Sequence, residues 1–182
     1  MAHSPSTHDY EAEDIFVVSN PAQLRALGDE VRGRIVGHLR ERAASATELA
    51  ELLAMPKGTV GHHLKVLEKV GLIHVVRTRQ VRAVTEKYYG RVARLFIIKS
   101  DDEAHDELVY GVGASALRLA ASELAAAPEV AMHGILRVRL DASDVKRFNR
   151  RFDRLLQDVR AADSGEGEPW GIAAAMYKLV ER

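Results

Sequence analysis

Between residues 21 and 70, apolar side chains recur every three or four residues, with short breaks between the runs. This spacing places the apolar side chains on one face of a helix. Capping side chains and prolines mark the helix starts, and glycine or proline marks the ends. The pattern predicts four helices, over residues 21–27, 30–42, 45–53 (with a Ser45–Glu48 capping box) and 57–70.

Residues 72–85 change to β-branched side chains on both sides of a basic polar centre at residues 77–80. Such a pattern is typical of a β-hairpin, here with a basic tip. Residues 86–98 return to helical spacing and predict another helix. The short apolar run over residues 15–18 predicts a strand near the N-terminus.

The second half of the chain predicts a long helix followed by a strand, a helix and a strand. The long helix covers residues 103–126, and its glycines are expected where another helix packs closely. Residues 132–140 alternate apolar and polar side chains, as a half-buried strand does. An amphipathic helix then follows Asp141, and residues 170–180 predict the last strand.

The 182 residues carry no net formal charge, but the charges are segregated along the chain. Residues 1–20 sum to −4, residues 21–99 carry fifteen bases against seven acids and sum to +8, and residues 100–182 sum to −4. A basic block of this kind is typical of a domain that binds a polyanion. The absence of cysteine excludes disulfides and thiolate chemistry.

A short helix, a three-residue break, a second helix and a hairpin form the order of a helix-turn-helix followed by a wing. The second helix of such a pair enters the major groove of DNA with its N-terminal residues on base edges. Here that helix begins at Lys57.

Four segments in this order resemble the winged-helix regulators of the ArsR type: residues 26–32 (ALGDEVR), 47–50 (TELA), 59–67 (TVGHHLKVL) and 71–73 (GLI). The resemblance covers about residues 15–98. It departs at Gly61, where the family usually has serine, so one hydroxyl is missing from the DNA face. The resemblance implies a homodimeric DNA-binding transcriptional regulator, commonly a repressor that an effector releases. The symmetry of such a dimer predicts a palindromic operator.

By position, the resemblance also implies which residues contact DNA. Lys57, Thr59 and His62 would face the groove and its bases, whereas His63 and Lys65 would lie closer to phosphate. The wing residues Arg77, Arg79 and Arg82 would reach the backbone or the minor groove. Only contacts to bases specify sequence, while phosphate contacts position the protein.

We therefore expect a mainly α protein with a small amount of β structure (α+β). Residues 1–14 form a disordered acidic tail, residues 15–99 the winged helix-turn-helix domain, and residues 100–182 a region for dimerisation or effector binding. We expect a cytoplasmic protein, since neither a signal peptide nor a membrane span is evident. We expect no catalytic residues, metal or cofactor, because no nucleophile elbow, metal-ligand spacing or complete phosphate loop is present. The partners are double-stranded DNA and a second copy, with an effector left open.

Several alternatives remain open at this stage. A winged helix also serves in some proteins as a protein-interaction module that does not bind DNA. Residues 111–116 match a Gly-x-Gly-x-x-Ala string of nucleotide-binding turns, although no apolar strand of sufficient length precedes them. The acidic run at residues 101–107 offers oxygen and nitrogen ligands for a metal, but a solvated linker is the simpler interpretation.

Overall fold

The computed structural model describes residues 9–81, 84–98, 105–132, 134–163, 167–168 and 170–179. These residues form six helices and five strands, so the α+β class is confirmed. In chain order they are β1 (Glu13–Val18), α1 (Pro21–Leu27), α2 (Glu30–Glu41), β2 (Ala44–Ser45), α3 (Ala46–Leu52), α4 (Lys57–Lys69), β3 (Ile73–Val81), β4 (Val84–Arg91), β5 (Ala93–Ile98), α5 (Asp106–Ala126) and α6 (Ala142–Ala161).

The helix starts follow the caps in the sequence. The Asn20 side chain accepts a hydrogen bond from the Ala22 amide at 2.8 Å, one residue into α1 after Pro21. At α3 the predicted capping box is complete, since the Ser45 hydroxyl accepts from the Glu48 amide and the Glu48 carboxylate accepts from the Ser45 amide. These bonds satisfy amides that have no partner inside the helix.

The apolar stripes of α1 to α4 meet in one core, which the start of β3 closes. Fully buried aliphatic side chains from every one of these elements exclude water and supply the main driving force for folding. They include Leu24, Ile35, Leu39, Leu49, Val60, Leu64, Leu67, Leu72 and Ile73. The four predicted helices are thereby confirmed. Their inward faces agree as well except at Leu52, which was expected on the buried face of α3 with Leu49 and Leu53 but is 50% exposed.

The predicted hairpin is formed by β3 and β4, which pair antiparallel and are joined by β2 in a sheet of order β2-β4-β3. Its turn lies elsewhere than predicted. Arg77 pairs with Tyr88 and Arg79 with Glu86, and the ladder runs on to Val81. Residues 77–80 therefore lie within a strand, because side chains on both strands continue the extended pattern beyond the basic centre.

The helix predicted over residues 86–98 is wrong, since these residues belong to β4 and β5. β5 pairs in parallel with β1, with Phe16 opposite Phe96. The spacing of apolar residues fitted a helix, but aromatic and β-branched side chains here find strand partners from distant parts of the chain. The prediction of a strand near residues 15–18 is confirmed, and β1 begins at Glu13.

The predicted disordered tail does not extend through residue 14. Among the described residues of this segment, Glu13 and Asp14 belong to β1, and Asp9 and Tyr10 bind the winged domain. Two side chains attach this segment to the domain, and no continuous apolar face does. Its sequence therefore shows no apolar periodicity. Residues 1–8 lie outside the described part of the chain.

Helix α5 confirms the long helix expected in this region. Residues 111–116 lie inside it, so they do not form the turn on which nucleotide phosphates are bound. A Cβ built at Gly111 or Gly113 would meet no described atom within 4 Å, contrary to the expectation of a closely packed neighbouring helix. The acidic residues 101–104 lie outside the described residues.

The chain divides into two compact units, residues 1–119 and residues 120–182, whereas the sequence suggested a boundary at residue 99. In the second unit α6 is confirmed, but residues 134–140 and 170–179 form no strand. Alternation predicts an extended segment, whereas a strand also needs a hydrogen-bonded neighbour. Of the described helices, none is both long enough and apolar enough for a membrane span.

Candidate nucleic-acid interface

Helices α3 and α4 form the helix-turn-helix pair, joined by residues 53–56. Ala54 adopts a left-handed backbone conformation with φ of 51°, and the Met55 amide donates to the Ala50 carbonyl at 2.9 Å. The next residue, Pro56, precedes the first turn of α4 and provides no side-chain cap. The Thr59 and Val60 amides donate to the Pro56 carbonyl, so of the first turn only the Lys57 and Gly58 amides keep their donor capacity for an outside partner.

One face of α4 is buried and the other carries polar side chains. Val60, Leu64 and Leu67 point into the core. The exposed side chains of the opposite surface include Lys57, Thr59, His62 and Lys65. The structure therefore places four of the five predicted α4 residues on the accessible side of the second helix.

His63 is the fifth, and its side chain turns inward. It is only 14% exposed, and its Nδ1 lies 3.9 Å from Asp29 Oδ1 at the start of α2. That nitrogen is buried and forms no hydrogen bond. Burial lowers the pKa of His63. The attraction of Asp29 opposes this shift, whereas the repulsion of Arg32 and His62 adds to it. His63 thus contacts α2 and does not belong to the exposed surface with Lys65.

On the wing, Arg77 and Arg79 are both exposed and lie two residues apart in β3, hence on the same face of the strand. The Arg77 guanidinium lies over the Tyr88 ring, 4.7 Å from its centroid. The third predicted wing residue, Arg82, lies outside the described residues.

Glu86 is a residue that sequence reasoning missed. It lies in β4 opposite Arg79. The polar side chains of Thr47 and Ser45, together with the charge of Lys57, lower the pKa of Glu86 although burial opposes the shift. The acid therefore places a negative charge of the wing near the start of α3. Glu86 could have been found from the sequence, because it is an acidic residue in a hairpin whose other charged residues are basic.

The N-terminal clasp, which we define as Asp9 and Tyr10, was also missed. Asp9 accepts hydrogen bonds from the Ala43 amide at 2.7 Å and from Arg77 at 2.8 Å. Although burial opposes the shift, these two donors hold the pKa of Asp9 below its usual value. The contacts join residues that are far apart in the sequence, and no local sequence pattern predicts them.

Within the described residues, no cluster of three or more metal-ligating side chains occurs. The surface built by α4 and β3 instead consists of cationic and hydrogen-bonding groups around the start of a helix. This chemistry suits phosphates and base edges.

Comparison with known proteins agrees with this geometry. Residues 27–76 match a family model described as a helix-turn-helix domain. No curated protein matches the sequence.

Three solved structures illustrate the similarity. A transcriptional regulator of the ArsR family is 22% identical, over 56% of this chain and 89% of its own, with a TM-score of 0.32. The heme sensor protein PefR from Streptococcus agalactiae, in complex with heme, is 15% identical over 75% of this chain and 78% of its own, with a TM-score of 0.33. A MepR mutant from a multidrug-resistant S. aureus clinical isolate is 14% identical over 78% of this chain and 80% of its own, with a TM-score of 0.29.

The family match covers α2, α3, α4 and the start of β3, and it includes the exposed polar side chains of α4 but ends before Arg77. It confirms the helix-turn-helix part of the resemblance to ArsR-type winged-helix regulators. The chain therefore carries a helix-turn-helix domain over residues 27–76.

Proposed function

We propose that the protein is a sequence-specific transcriptional repressor that binds a palindromic operator as a homodimer. The observation that carries the proposal is the row of exposed polar side chains on α4, namely Lys57, Thr59, His62 and Lys65, together with the exposed arginines of β3. This surface lies within the segment of net charge +8.

In this proposal α4 lies in the major groove. Lys57 and Thr59, in its first turn, contact base edges, and His62 follows one turn later. Lys65 is three residues further along and contacts phosphate. Lysine donates to the acceptors of guanine, while threonine and histidine each offer a hydrogen bond of shorter reach.

Arg77 and Arg79 on the wing contact the backbone of the same half-site. Their charge favours any duplex, because each phosphate contact releases a condensed counterion. Sequence discrimination therefore comes from α4, and the wing supplies affinity.

Helix α5 supports the homodimer. Its inner side is fixed to the winged domain through the buried Val112 and Ser115, while Tyr110 remains 69% exposed and Leu117 and Leu124 are exposed as well. An apolar helix face of this kind gains stability when it packs against the same face of a second copy. Two-fold symmetry then places the half-sites one helical turn apart, about 34 Å.

The test is selection of duplexes from a random pool by the purified chain at low salt. We expect an inverted repeat to emerge, and we expect its affinity to fall steeply as salt rises. A pool from which no duplex is retained at low salt would show that the protein does not bind DNA.

Variants locate the interface on the selected duplex. Lys57→Ala should weaken binding by about 1–3 kcal/mol, the range for loss of a base contact. The matched control is Lys178→Ala, which removes the same charge from an exposed position in the second unit and should leave the affinity unchanged. Equal effects of the two variants would mean that α4 makes no specific contact.

A further inference from the structure

The N-terminal clasp occupies a residue of the proposed DNA surface. One carboxylate oxygen of Asp9, Oδ1, accepts from the Ala43 amide just after α2, at 2.7 Å. The other, Oδ2, accepts from Arg77 Nη1 on the wing at 2.8 Å. The carboxylate thus bridges the end of one helix and a strand of the wing.

Tyr10 anchors the clasp beside this bridge. Its hydroxyl donates to the Leu39 carbonyl and accepts from the Arg91 amide at 3.1 Å. Its ring covers Gly90 so closely that a Cβ there would lie 2.6 Å from the ring. Because Asp9 is covalently joined to Tyr10, and these contacts hold Tyr10 in place, the Asp9 carboxylate stays near Arg77 at a high effective concentration.

A carboxylate and a phosphate compete for the same guanidinium donors. Arg77 also lies over Tyr88, so the clasp and the ring together hold its guanidinium against the protein. Both partners of the ion pair are partly exposed, which lets solvent and a phosphate reach them. An exposed pair of this kind is weak enough to exchange its carboxylate for a stronger anion.

We propose that the N-terminal clasp is an autoinhibitory contact: Asp9 takes the place of a DNA phosphate on Arg77 and lowers the affinity of the protein for DNA. The inference rests on the proposed function, because it requires Arg77 to face phosphate in the complex. The segment that contains the clasp, residues 1–20, has a net charge of −4 and adds to the effect at long range.

The experiment measures the affinity of the full-length chain for a fluorescently labelled duplex pool of random sequence, by anisotropy over a range of salt. Asp9→Asn keeps an oxygen for the Ala43 amide but removes the charge that engages Arg77. We expect it to bind about two- to fivefold more tightly, as the loss of a weak ion pair implies. Its salt slope should be steeper by about one contact.

Two variants identify the contact responsible. Glu11→Gln removes the same charge from an exposed position two residues along the segment, and should change the affinity less than Asp9→Asn does. In an Arg77→Gln background, Asp9→Asn should change the affinity no more than Glu11→Gln does, because the arginine that it releases is absent and only the long-range effect of the charge remains. A full effect of Asp9→Asn in that background would overturn the proposal.

A further variant tests the anchor. Tyr10→Phe keeps the ring but loses both hydrogen bonds of the hydroxyl, and should also tighten DNA binding while the melting transition stays cooperative. Unchanged or weaker binding by Asp9→Asn, with wild-type protein that does bind the pool, would refute autoinhibition alone. Wild-type protein that retains no duplex at low salt would refute the proposed function, and the autoinhibition with it.

Discussion

The buried Ser115 hydroxyl of α5 donates a hydrogen bond to the Gly28 carbonyl at the end of α1, with 2.7 Å between the two oxygens. This bond links the long helix to the helix-turn-helix domain and satisfies a carbonyl that α1 leaves without a helical partner. Arg118 donates in turn to the Ser115 hydroxyl at 2.9 Å.

Ser115→Ala should therefore lower the free energy of unfolding by about 1–3 kcal/mol, since it leaves a partly buried acceptor unsatisfied. Urea denaturation followed by circular dichroism measures the change. The control, Arg118→Met, removes only the bond on the exposed side and should stay within about 0.5 kcal/mol of wild type. If Ser115→Ala were as stable as wild type, this bond would not hold α5 in place.

The helices of the first unit were predictable because their signals are local. The capping box at Ser45 and Glu48, the proline at residue 21 and the glycine at residue 71 act on amides and backbone angles within a few residues of themselves. The β1–β5 pair was not, because its partners are separated by almost the whole domain and the spacing within β5 also fits a helix.

The same distinction between local signals and long-range contacts applies to the candidate site. Helical periodicity alone separates the buried Val60 and Leu64 from the exposed Lys57 and Lys65. It does not determine the rotamer of His63, which lies at the edge of the buried face and turns towards Asp29. The N-terminal clasp depends on contacts across the fold and could only be found in three dimensions.

Because the His63 side chain is mostly buried, we expect the stability of the protein to depend on pH. Burial lowers its pKa from the ordinary value of 6.5, so the unfolded chain binds a proton more readily than the folded one. The contribution of neutral His63 is complete above the unfolded pKa and is lost as the pH falls towards the lowered folded value.

Unfolding measured from about pH 8 to about pH 5 should therefore show a smaller loss of stability in His63→Gln than in wild type. The subtraction removes the titration of the other acids and histidines, which both proteins share. His62→Gln is the comparison variant: it removes only the repulsion that His62 exerts on His63, the smallest of the causes that act on this imidazole, so it should change the pH profile less than His63→Gln does. Parallel profiles for wild type and His63→Gln would contradict the burial of this imidazole.

Gly61 predicts a stabilising substitution inside α4. A Cβ at this position would meet no described atom within 4 Å, and its backbone is helical. Gly61→Ala should raise the free energy of unfolding by about 0.5–1 kcal/mol, because alanine loses less backbone entropy in a helix.

Gly71, at the end of the same helix, provides the contrast. Its φ of 73° lies in the left-handed region, again with open space around a Cβ. Gly71→Ala should lower stability by about 1–2 kcal/mol through backbone strain alone. Thermal melts of the two variants should therefore shift in opposite directions, and a shift in the same direction would contradict the backbone assignment at one of them.

A substitution at Gly90 in β4 should be destabilising, because there is no room for a Cβ. A Cβ at Gly90 would lie 2.6 Å from the Tyr10 ring and 2.8 Å from Val76 Cγ1, so at least one of these side chains must move. Gly90→Ala should cost about 1–3 kcal/mol, as overpacking does in other cores.

The contributions of Tyr10 and Val76 to the cost of Gly90→Ala can be measured separately. In a Tyr10→Ala background the ring is absent and only Val76 remains in the way, so Gly90→Ala should cost less than it does in the wild-type chain. Denaturation of the four proteins gives the coupling between the two positions. A coupling of zero would mean that Tyr10 does not rest on Gly90, and the N-terminal clasp would then lose the anchor that holds Asp9 beside Arg77.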